Sequence, residues 1–117
     1  MERMETVSNQ EMIQEIKRHL HILNSLSIPW SSKGIAYVGL AFEYFNMGMD
    51  QEGISLLLEI PEDFYEKDML TALEGNSQFL QVVLLLVDLM IKSPNIPKDS
   101  EIMKSFFKLK GRKYGIA

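Results

Sequence analysis

Phe79-Leu80-Gln81-Val82-Val83-Leu84-Leu85-Leu86-Val87-Asp88-Leu89-Met90-Ile91 admits two readings, and they lead to different fold classes. Eleven of these 13 residues are apolar. The core of the run, Val82 to Val87, has the β-branched content of a buried strand. Its length and its borders favour a helix. Thirteen residues exceed a typical strand. Asn76 or Ser77 offers a capping side chain in front, and Ser93-Pro94 stops the chain behind. The spacing therefore predicts a helix over about 78–92. A helix greasy on nearly every side is either buried centrally or pairs with another chain. Crossing a membrane takes about 20 apolar residues, so no membrane role is expected.

The same logic extends towards the N-terminus. Ser8 with Glu11 three residues on forms a capping box. Met12, Ile13, Ile16, Leu20, Leu23 and Leu26 then recur at helical spacing, predicting a helix over 8–26 that ends before Pro29. Trp30, the only tryptophan, is expected to fold back on the core. A second helix is expected from Lys33 to Met47, capped by Ser31 or Ser32, with Gly48 as a left-handed stop. Asp50 is expected to cap a third helix from Gln51 to Ile60. Pro61, Glu62 and Asp63 suit the opening turn of a short helix over 62–73, anchored by Phe64, Met69, Leu70 and Leu73. After Pro94 to Pro97, Asp99 or Ser100 caps a last helix over 99–110, closed by Gly111. No period-2 pattern outcompetes a helical one. The fold class is all-α: a single domain over residues 1–117, a compact bundle of five or six helices.

The segment 34–61 carries a further pattern. Tyr37, Leu40, Ala41, Tyr44, Gly48, Asp50, Glu52, Gly53, Ile54 and Leu57 stand, in order, at aromatic, large, small, aromatic, turn and second-helix positions. Two antiparallel helices on a short turn need small residues where the axes approach, here Ala41 and Gly53, with large ones on either side. Gly53 inside a helix costs about 1 kcal/mol relative to alanine, which a close contact would justify. This pattern resembles one unit of the tetratricopeptide repeat family. Ile60 departs from the family's small residue, Pro61 comes early, and no second copy follows about 34 residues on, where Thr71, Glu74 and Gln78 stand. The resemblance covers about a quarter of the chain. It implies a central antiparallel hairpin over 33–60 packed by unlike helices, and a tendency to bind partner proteins.

Charge is unevenly divided. Residues 1–100 carry 7 Lys/Arg against 15 Asp/Glu, a balance of −8, while 101–117 carry 5 against 1, a balance of +4. From Glu43 to Glu74 there are nine acids and one base, Lys67. Such a chain presents fields of opposite sign, either as solvated helix faces or as surfaces for charged partners. The basic end, Lys104, Lys108, Lys110, Arg112 and Lys113, is the candidate anion-binding set. It suits a helix C-terminus, phosphate contact with nucleic acid, or the acidic middle of a second copy. The first residues lack the apolar run of a signal peptide, and a cytoplasmic location is expected.

Few chemistries are open to this composition. With no cysteine, disulfide scaffolds, Cys-ligated zinc, iron–sulfur clusters and thiol catalysis are excluded. His19 and His21, two apart, face different sides of a helix, and Glu15 with His19 supplies too few ligands for a metal. Glu62, Asp63, Glu66 and Asp68 lack the alternation and central glycine of a calcium loop. Gly34, Gly39, Gly48 and Gly53 form no nucleotide fingerprint, and no serine sits in a nucleophile elbow. No enzyme, cofactor or metal is expected. Of the eight methionines, Met12, Met69, Met90 and Met103 fit apolar patterns, while Met47 and Met49 flank the hairpin turn.

These observations point to a protein–protein interaction module, an adaptor, inhibitor or assembly subunit, whose partner the chain does not name. The expected contacts are Tyr37, Tyr44, Met47 and Met49 on the hairpin for a foreign partner, and Leu85 and Leu89 on 79–91 for a homodimer. The alternative is a nucleic-acid-associated protein using the basic end.

Overall fold

The computed structural model describes residues 2–93, Lys104 and Phe106, with side chains given from Asn9 onward. Within these residues the chain is helical and contains no strand. Five α-helices follow one another: α1 (Glu2–Ser25), α2 (Trp30–Asn46), α3 (Asp50–Glu59), α4 (Met69–Gly75) and α5 (Ser77–Lys92). A π-helical turn, Phe64–Asp68, leads into α4. The all-α class follows, and residues 82–87 belong to a helix.

α2 is the hub. Its core face, Gly34, Tyr37, Val38, Ala41, Tyr44 and Phe45, is buried, and α1, α3, α4 and α5 all pack on it. The α2–α3 connection is the best determined by local chemistry. Gly48 takes φ +82°, a left-handed geometry that glycine adopts without penalty. The Met49 amide donates to the Tyr44 carbonyl at 2.8 Å and the Gly48 amide to the Phe45 carbonyl at 3.0 Å, which completes a Schellman stop. The helices then run back to back at the small residues. A β-carbon on Gly53 would stand 3.2 Å from the Ala41 carbonyl oxygen and 2.6 Å from the Phe45 ring.

α5 begins as its sequence dictates. The Asn76 side chain accepts from the amides of Gln78 (3.0 Å) and Phe79 (3.1 Å). Phe79, Val83, Leu86, Val87 and Met90 are buried against the rest of the molecule. Its opposite pole carries Gln81, Leu85, Asp88 and Lys92 in the open. The helix is therefore one-sided, and most of its apolar residues face its own core. Ser93, buried just past its end, donates to the Asp50 carboxylate at the start of α3.

The π-helical turn solves a packing problem. Phe64 and Tyr65 are adjacent, yet both are buried. The wider winding, closed by the Met69 amide on the Phe64 carbonyl, lets Phe64 lie on Gly34 of α2. Tyr65 turns the other way, donating its hydroxyl to the Leu57 carbonyl at 2.7 Å and meeting Phe106 edge-on at 5.7 Å.

Several expected boundaries are corrected. Helix α1 starts at Glu2, so Ser8 lies inside it instead of capping it; no Gly or Pro interrupts 2–26. Helix α2 starts three residues early. Pro29 stands at its N-cap in extended geometry, its carbonyl accepting from Ser32 (3.0 Å) and Lys33 (2.9 Å), and neither Ser31 nor Ser32 caps. Trp30 thus opens a helix, packs edge-on against Tyr37 at 5.1 Å and lies half-buried under the Lys33 ammonium, as expected of a residue folded back on the core. Asp50 is the first residue of α3 and engages Ser93 instead of its own helix end. The predicted helix over 99–110 lies outside the described residues except for Lys104 and Phe106, both in helical backbone, with Lys104 exposed and Phe106 buried.

Candidate partner-binding groove

Helix α1 sits on α2 by one edge. Ile16 is buried there, with Leu20 and Leu23 half-buried beside it, and the Tyr37 hydroxyl donates to Asn24 at 3.1 Å. These contacts use the inward flank of α1. The adjacent flank carries Met12, Glu15, His19 and Ile22 and faces open space. It is matched by the side of α2 turned away from the core, where Ala36, Gly39, Leu40 and Glu43 recur at helical spacing.

Between them lies a groove of about 650 Å³, floored by Ile16 and Leu23. Small residues create it: Ala36 adds one carbon, and a β-carbon on Gly39 would meet nothing within 4 Å. The lining is mostly apolar. Met12 and Ile22 are 41% and 40% exposed, high for large apolar side chains that share one flank of a helix. Three polar groups interrupt it. Glu15 is bound by Arg18 at 2.7 Å, and that hydrogen bond, with the guanidinium charge, holds its carboxyl below the usual range. His19 lies on the same wall. Glu43, on the α2 wall, is half-buried, and its carboxylate makes no hydrogen bond or ion pair with any described residue.

The residues singled out from sequence are distributed differently. Tyr37 and Tyr44 are 1% and 5% exposed, so these aromatics belong to the core and are not open to a partner. Met47 and Met49 are half-buried against that same core. Leu89 is half-buried, and only Leu85 stands out at 51% exposed. Of the basic set, Lys104 is exposed; Lys108, Lys110, Arg112 and Lys113 lie outside the described residues. The groove was missed because Met12, Ile16 and Leu23 look like one apolar face. The available signal was on α2, where the small pair Ala36 and Gly39 lies opposite the core stripe.

No family model, curated protein or solved structure matches the chain. Among the described residues no helix is long and apolar enough to cross a membrane, and no cluster of three His, Cys, Asp or Glu could hold a metal ion.

Proposed function

We propose that this protein is a cytoplasmic protein–protein interaction module without catalytic activity, and that its contact surface is the α1–α2 groove. One observation carries the reading: Met12 and Ile22 stand open beside a cleft of about 650 Å³ whose α2 wall is thinned by Ala36 and Gly39. A concave apolar surface between two helices suits an amphipathic helix, which buries its own apolar stripe there. The tetratricopeptide-like hairpin of residues 34–61 acts in this reading as the rigid base that presents α2. The close approach of Ala41 and Gly53 supports that part.

The reading is tested by selecting binders from a randomised library of displayed helical peptides. The wild-type protein is expected to enrich peptides with apolar anchors at i, i+3/i+4 and i+7. Gly39→Leu, which builds a side chain into the groove, is expected to recover none of them while remaining folded. Equal recovery by Gly39→Leu would place binding elsewhere.

A further inference from the structure

We infer that the occupant of the groove is a cationic amphipathic helix of a partner protein, presenting one Lys or Arg between apolar anchors to Glu43. This rests on the groove reading above and names the chemistry of its ligand. The dimensions come first. The α1 wall runs from Met12 to Leu23 and the α2 wall from Ala36 to Glu43. At 1.5 Å per residue the longer wall spans about 16 Å, the length of a three-turn helix. A helix laid there would complete a three-helix layer, and Gly39 would let its backbone approach α2 closely.

Charge then selects among helices. The groove contains no Lys or Arg in its lining, but a carboxylate on each wall. Glu15 already has Arg18. Glu43 has no cation among the described residues, although it is half-buried beside Leu40 and Ala36. Covering it with a neutral apolar surface would strand a carboxylate away from water, which is costly. An incoming ammonium or guanidinium removes that cost and fixes the register of the helix. The excess of acid over residues 1–100 steers such a partner inward. The same charges oppose a fatty-acid carboxylate or a phosphate in this cleft.

The experiment repeats the peptide selection on wild type and on Glu43→Gln, then measures affinities by fluorescence anisotropy. Wild type is expected to enrich Lys or Arg at a single position between the anchors. Exchanging that residue for Gln is expected to weaken binding roughly tenfold, and Glu43→Gln to erase the difference between the two peptides. Enriched peptides with no cation, or a cation preference that survives Glu43→Gln, would overturn the inference and leave the groove reading standing. Failure to recover any groove-dependent peptide would overturn both. Concentration-dependent self-association abolished by Gly39→Leu would also overturn the inference, since a second copy would then occupy the site.

Discussion

The ring of Phe64 presses on Gly34 so closely that a β-carbon there would stand 2.6 Å from its Cδ1 and Cε1 atoms. Phe64 is 1% exposed, buried within the core. Gly34→Ala gains up to about 1 kcal/mol of helix propensity. Forcing apart a packed ring costs about 1–3 kcal/mol. The variant is expected to be less stable than wild type, by urea unfolding followed through Trp30 fluorescence. Phe64→Leu in the same chain should recover part of the loss, and strictly additive effects of the two changes would refute the contact.

Two other helical glycines separate the same terms. Gly53→Ala meets the Phe45 ring at 2.6 Å and is expected to destabilise. Gly39→Ala meets nothing within 4 Å and is expected to stabilise by up to about 1 kcal/mol. Opposite signs for one chemical change in one unfolding assay are the outcome to look for. A loss of stability in Gly39→Ala would mean that the α1–α2 groove is closed in solution.

Tyr65 links stability to alkaline pH. Burial raises its phenol above the ordinary value, and Tyr44 is raised too, by burial first and then by the nearby Glu52. Each protein-bound phenol keeps its proton where the unfolded chain, with a tyrosine value near 10, loses it. Stability from this source is therefore full below about pH 10 and falls as pH rises beyond it. Tyr65→Phe is expected to lose about 1 kcal/mol at neutral pH, because the Leu57 carbonyl loses a donor. Its urea midpoint should decline less steeply than wild type above pH 10. A slope identical to wild type would mean that Tyr65 ionises as freely in the folded protein as in the unfolded one.

Neighbouring leucines on α5 should respond differently. Leu85 is half in solvent, whereas Leu86 is fully buried. Leu85→Asp is expected to stay folded, within about 0.5 kcal/mol of wild type. Leu86→Ala is expected to cost about 2–5 kcal/mol through the cavity it leaves. Thermal melts by circular dichroism compare them directly. Severe unfolding of Leu85→Asp would show that its face is covered in solution, as a dimer through 79–91 requires.

Much of the fold was legible because it rests on local rules. The Gly48 stop, the Asn76 cap and the 3.6-residue rhythm each depend on a few neighbouring residues, and each places an element where the sequence predicts it. The starts of α1 and α2 were not legible in the same way. Ser8 has the chemistry of a cap but lies in a run with no breaker, so the helix passes through it. Pro29 ends one segment and opens the next, because its ring restricts the residue before it while its carbonyl accepts the first bonds of α2. The candidate site was the least legible part. Tyr37 and Tyr44 suit a core and a contact surface equally, and only the packing of the other helices on α2 assigns them to the core. A groove, by contrast, depends on how far two helices stand apart, which no periodicity encodes.

The one-edged seating of α1 has a kinetic corollary. Because this helix docks chiefly through Ile16, Leu20, Leu23 and the Asn24 bond, it is expected to open more readily than the helices packed around α2. Amide deuteration should then sweep residues 9–25 well before 34–45, and a bound helix should slow the first region far more than the second. Under the proposed groove binding, an arm clamped by the helix it receives would combine quick capture with slow release.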